Sequence, residues 1–112
     1  MITALTRDGE PVCRRCTVAR TPLRRMKGLL GQRGLGEDEG LLLRPASAIH
    51  TWFMRFPIDV VFLDRELRVL RVAEGVRPWR FASARGARAV LELPAGAAAR
   101  SALRAGQQLA LK

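Results

Sequence analysis

Two groupings in this 112-residue chain carry side chains able to do chemistry. The first is Cys13-Arg14-Arg15-Cys16. A C-x-x-C pair serves thiol redox work where its first Cys opens a helix, because the dipole there stabilises thiolate. Here the nearest helix start is Thr21-Pro22, further along the chain. If the segment is a strand, alternation puts Cys13 and Cys16 on opposite faces, unable to bond or to share a metal. They would meet if Arg14-Arg15 formed a two-residue turn, but that dipeptide lacks the Gly or Asn such turns favour. The adjacent arginines favour thiolate, so a redox reading of Cys13 and Cys16 stands beside one of incidental thiols. A zinc site would need carboxylates to complete four ligands, and no metal site is assigned.

The second grouping runs from Ile49 to Asp59 and contains His50-Thr51-Trp52-Phe53-Met54. Strand alternation places His50, Trp52 and Met54 on one face, with Thr51 and Phe53 on the other. The trio reads either as a half-buried histidine packed on core neighbours or as a pocket lining. In a pocket, imidazole supplies hydrogen bonds and Trp52 a stacking surface; imidazole with thioether could also hold a soft cation such as Cu(I). Asp59 sits among Ile58 and Val60-Val61-Phe62-Leu63, and Glu92 within Val90-Leu91-Glu92-Leu93. A carboxylate on an inner strand needs a partner, since burying it unpaired costs several kcal/mol. Arg25 or a neighbouring arginine is the expected partner. Both an ion pair organising the core and a general acid or base remain open. No Ser/His/Asp spacing, phosphate loop, H-E-x-x-H or cofactor fingerprint is legible.

The rest of the chain bounds these readings. Its hydrophobic content of 48% with 27% charged residues excludes disorder and collagen-like repeats. The length suits one domain spanning residues 1–112. No apolar run approaches the ~18 residues of a membrane span. The first residues show no basic stretch followed by an apolar one, so the expected location is cytoplasmic. The formal net charge is +10, carried by eighteen Arg and two Lys. Such a field favours nucleic acid, anionic membrane or acidic partners. Two stretches, residues 11–36 and 75–91, hold basic residues and no acid. They read as a solvated surface or as a nucleic-acid groove, although an aromatic content of 5% offers few stacking platforms.

The elements that must position these residues are mostly strands. Strands are expected at 12–19, 41–43, 49–55, 58–63, 67–73, 89–93 and 107–111. Asp64-Arg65-Glu66 reads as the turn of a hairpin, and 75–86 as a loop bearing Trp79 and Phe81. Thr21 as N-cap, Pro22 behind it and the stripe Leu23, Met26, Leu30 predict one short helix closed by Gly31. Residues 97–103 supply one or two further helical turns. The expected fold is mainly β, a compact barrel or sandwich of short strands with one or two short helices.

These residues in this order resemble a bacterial and archaeal family known as domain of unknown function 192. The matching pieces are Arg25-x-x-Gly28-Leu29, Gly40-Leu41-Leu42, His50-Thr51-x-x-Met54-x-x-x-Ile58-Asp59-Val60-x-Phe62-Leu63-Asp64, Val90-Leu91-Glu92-Leu93-x-x-Gly96, and Gly106 before the last strand. The resemblance spans residues 18–111 and implies a compact, β-rich, barrel-like domain. It also implies that Arg25, His50, Trp52, Met54, Asp59 and Glu92 occupy the family's shared polar and aromatic positions, without saying what they do. Many relatives look exported, with a leader that this chain does not show. Leu30 and Leu41 stand where the family usually has Met, which argues against a Met-rich metal site. Cys13 and Cys16 match no family feature.

The leading expectation is therefore a non-enzymatic module binding a small ligand or a protein partner. Its pocket would be lined by His50, Trp52, Met54 and Asp59 and supported by Arg25 and Glu92. The alternatives are a basic nucleic-acid-binding protein and an enzyme, either a thiol oxidoreductase at Cys13 and Cys16 or an acid–base catalyst using His50 with Asp59.

Overall fold

The computed structural model describes residues 2–19, 35–51 and 55–112. The helix expected from Thr21, together with Arg25, Trp52 and Met54, lies outside the described residues. Nine strands and one short helix follow in order: β1 Ile2–Arg7, β2 Glu10–Ala19, β3 Glu39–Leu43, β4 Ala48–His50, β5 Ile58–Leu63, β6 Val69–Val76, β7 Phe81–Ser83, β8 Ala89–Pro94, α1 Ala97–Arg100 and β9 Ala110–Leu111. Seven strands form one sheet in the order β6-β5-β8-β3-β2-β1-β9, and β4 with β7 forms a separate two-stranded ribbon. The pair β2–β3 is parallel, and the other pairs in the large sheet are antiparallel, so the sheet is mixed.

The expectation of a mainly β fold holds. No closed barrel forms among the described residues, but the sheet curls until its two edges touch. An isolated bridge joins Arg68, just before β6, to Gln108, just before β9. Backbone bonds flank it: Leu109 N–H donates to the Leu67 carbonyl at 3.0 Å and Val69 N–H to the Gln107 carbonyl at 2.8 Å. This contact gives otherwise open sheet edges backbone partners.

Strand alternation divides the core into two. The inner face of the curl buries Leu5, Val18, Leu42, Val61, Leu63, Leu91 and Leu93, with Ala97 and Ala98 of α1 closing over it. The outer face buries Leu41, Leu43, Ile58, Val60, Phe62 and Val90, and the β4–β7 ribbon packs there through Ile49 and Ala82. All six residues of β5 are buried, as its unbroken apolar run requires of a strand covered on both faces.

Two turns set the registers. Asp8 and Gly9 both have positive φ (52° and 84°), as a two-residue hairpin between right-twisted strands demands. That Asp-Gly signal was present in the sequence ahead of the first expected strand, so β1 extends the expected set. In the β5–β6 turn, Asp64 Oδ1 accepts the backbone N–H groups of Glu66 (2.8 Å) and Arg68 (2.9 Å), closing the hairpin expected at Asp64-Arg65-Glu66. The strand expected at 49–55 is present as Ala48–His50, and part of the loop expected at 75–86 pairs as β7.

Candidate functional site

Among the described residues three buried side chains are polar: Thr51, Asp59 and Glu92. What each one bonds to separates scaffold from site.

Asp59 is fully buried on the inner face, opposite Leu93 in the β5–β8 register. Its Oδ1 accepts the Gly75 N–H at 2.8 Å, and its Oδ2 accepts those of Gly96 (3.0 Å) and Ala98 (2.9 Å). Its partners among the described residues are three main-chain amides, and the expected partner Arg25 lies outside those residues. The carboxylate ties the end of β6 to the turn that starts α1, a substitute for the absent side-chain cap at Gly96. Thr51 works the same way. Its hydroxyl donates to the Arg77 carbonyl at 2.6 Å and accepts the Arg80 N–H at 2.8 Å, which holds the turn bearing Trp79 against the end of β4.

Glu92 is different. It is 4% exposed and sits at the centre of the large sheet, opposite Val60 on one side and Leu41 on the other. Among the described residues no donor reaches its Oε2. Burial pushes its carboxyl up to about 8, so near neutrality it is mostly the neutral acid, able both to donate and to accept.

Of the expected set, His50, Asp59 and Glu92 lie among the described residues, and Asp59 and Glu92 do not share a face; Arg25, Trp52 and Met54 lie outside the described residues. Glu92 lies on the outer face with Leu41 and Val60, whereas Asp59 lies on the inner face with Leu93, so the two carboxyls point away from each other across one sheet. His50 is exposed at the end of β4, while its neighbours Ile49 and Thr51 are buried. Its register partner is Phe81, 67% exposed, and Trp79 close by is 57% exposed. These two aromatics lie in a stretch the sequence reading treated as a loop. Their flanking Arg77 and Arg80 were the available signal.

Cys13 and Cys16 are both buried and both belong to the inner core, against the expectation of opposite faces. The reason is a bulge. Thr3 pairs with Cys16 and Leu5 with Cys13, so β2 spends three residues where β1 spends two. The extra residue at Arg14-Arg15 resets the alternation and leaves both arginines outside. The neighbouring Cys16 thiol lowers the Cys13 pKa despite burial, and the same pairing, with desolvation, raises that of Cys16. The Cys13 thiol also donates to the Asp38 carbonyl at 3.6 Å. Gly40 makes the space, since a Cβ there would stand 2.7 Å from Cys13 Sγ. Among the described residues no group of three His, Cys, Asp or Glu is arranged to hold a metal.

A curled mixed sheet with a covering two-stranded ribbon and two buried acids defines a small, mainly β scaffold. The family match is more particular: the chain belongs to DUF192, described as Uncharacterized ACR, COG1430, matched over residues 3–111. No curated protein matches it. Among solved structures, a protein of unknown function from Novosphingobium aromaticivorans is 26% identical, with a TM-score of 0.83 over 98% of this chain and 84% of that one. A protein described as a candidate transcription regulator, from Sinorhizobium meliloti, has a TM-score of 0.83 at 21% identity, covering 98% of this chain and 92% of that one. At that identity the second likeness shows the fold alone.

Proposed function

We propose that this protein is a binding module for a small ligand, with Glu92 as the buried group that reads it. The observation that carries this is the buried Oε2 of Glu92, a residue 4% exposed, which has no partner among the described residues. Thr51 and Asp59 spend their polar atoms on the backbone, and Glu92 alone of the three keeps one unspent. A buried polar atom without a partner costs about 1–3 kcal/mol, and a ligand that supplies the partner regains it. A neutral carboxyl suits a ligand presenting a donor beside an acceptor, such as an amide or a heterocyclic N–H and carbonyl edge. The family resemblance implies Arg25, His50, Trp52 and Met54 as further residues of this reading.

The test is thermal shift against a broad panel of metabolites and metal ions, using the native protein, Glu92→Gln and His50→Ala. A ligand that raises the native Tm by more than ~5 °C, with the gain lost in Glu92→Gln, supports the reading. A panel in which nothing protects the native protein, or in which Glu92→Gln is protected equally, refutes it.

A second reading, binding of single-stranded nucleic acid, is supported by exposed Trp79 and Phe81 interleaved with Arg77 and Arg80. Bases stack on such rings while arginines meet the phosphates. It requires an affinity that falls linearly on a log–log salt plot and weakens in Trp79→Ala. Binding that vanishes at physiological salt removes it.

A further inference from the structure

At one end of the large sheet three arginines line one concavity that Glu92 does not line. Arg44 leaves β3, Arg65 sits in the β5–β6 turn and Arg88 enters β8. With Pro45, Asp64 and Ala89 they line a cleft of about 340 Å³. A second cleft of about 420 Å³, lined by Pro45, Ala46, Ser47, Ala87 and Arg88, shares Pro45 and Arg88 with the first. The two are therefore contiguous, with the arginines gathered at one end and Pro45, Ala46 and Ala87 beside Ser47 at the other.

The backbone beneath it is tied down. Arg88 N–H donates to the Leu63 carbonyl at 2.8 Å, the Arg88 carbonyl accepts from Ala46 N–H at 3.0 Å, and Arg44 N–H donates to the Ala19 carbonyl at 3.1 Å. The guanidinium groups themselves are uncommitted: among the described residues none of the three forms an ion pair or hydrogen bond through its side chain. The acid on the rim, Asp64, already spends Oδ1 on the amides of its own turn. Three cations against one anion leave an excess of two positive charges in the cleft.

We propose that this cleft binds a small phosphomonoester, its phosphate among Arg44, Arg65 and Arg88 and its organic part along Pro45, Ala46 and Ala87. Guanidinium forks match phosphate oxygens in pairs, and the dianion, present above a pKa of about 6, balances the local excess. A monocarboxylate leaves one positive charge unmatched. The apolar extension favours an ester over inorganic phosphate.

Isothermal titration with phenyl phosphate, inorganic phosphate and phenol tests this on three proteins: native, Arg65→Gln/Arg88→Gln, and Arg100→Gln/Arg104→Gln, which removes the same charge outside the cleft. The native protein should bind phenyl phosphate saturably, more tightly than inorganic phosphate and far more tightly than phenol. The cleft variant should weaken phenyl phosphate by at least ~10-fold, the charge-matched variant by less than ~3-fold. Affinity should also fall below pH 6 as the ester loses its second charge. Equal losses in the two double variants would mean that net charge alone attracts the anion and would overturn the proposal, as would the absence of saturable phenyl phosphate binding. Arg65→Gln alone, at an exposed turn position, gives the same comparison if the double variant fails to fold. Glu92→Gln should bind phenyl phosphate like the native protein, so the two sites fail or succeed separately.

Discussion

Replacing Glu92 by Gln should flatten the pH dependence of stability between pH 5 and pH 8. The carboxyl has a folded-state pKa of about 8 against an ordinary 4.5, and the cause is burial. Between those values the folded chain keeps a proton that the unfolded chain has released. Stability from this group is therefore fully present below pH 4.5 and is lost as pH rises through 8. The slope is about 1.4 kcal/mol per pH unit, or roughly 3–4 kcal/mol between pH 5 and pH 8. For a domain of this size that corresponds to a Tm difference on the order of 10–15 °C. Gln adds a buried amide and shifts the whole curve, but it does not titrate, so the slope isolates the carboxyl. Urea unfolding at each pH unit from 5 to 8, with m-values checked for constancy, measures both slopes. Native and variant curves running parallel would refute the reasoning, as would a carbon-detected NMR titration of Glu92 centred near 4.5.

Asp59→Asn should cost about 2–4 kcal/mol in the same unfolding assay, because an amide cannot accept all three of the Gly75, Gly96 and Ala98 bonds. Unchanged stability would mean that those amides find other partners. Thr51→Val should cost about 1–3 kcal/mol by stranding the Arg77 carbonyl and the Arg80 N–H; a loss below measurement error would remove its role as a lock. Gly40→Ala should cost about 1–3 kcal/mol, since the added carbon meets Cys13 Sγ at 2.7 Å and the Glu92 carbonyl oxygen at 3.2 Å; Cys13→Ala in the same chain should return part of that. Both thiols should react with a disulfide reagent much more slowly in the folded than in the urea-unfolded protein, because both are buried. Rapid labelling of either in the native state would contradict that burial.

The sequence by itself determined which stretches become strands. Continuous or alternating apolar runs at 58–63, 67–73 and 89–93 can bury their side chains only in a sheet, and β5, β6 and β8 stand at or near those positions. It also marked Asp59 and Glu92 as buried acids from their apolar neighbours, and Asp64 as a turn former. The tertiary structure decided what those residues meet. Asp59 finds main-chain amides at the end of β6 and at the start of α1, and a backbone N–H looks the same whatever residue type supplies it. The Cys13–Cys16 contact depends on a bulge, a mismatch between two strands that neither strand shows alone. Arg44, Arg65 and Arg88 share a cleft because the end of β3, the β5–β6 turn and the start of β8 meet at one end of the large sheet, and spacing along a chain carries no record of such meetings. Local pattern fixes the fate of a segment; only the paired register of segments far apart in the chain fixes which side chains face one another.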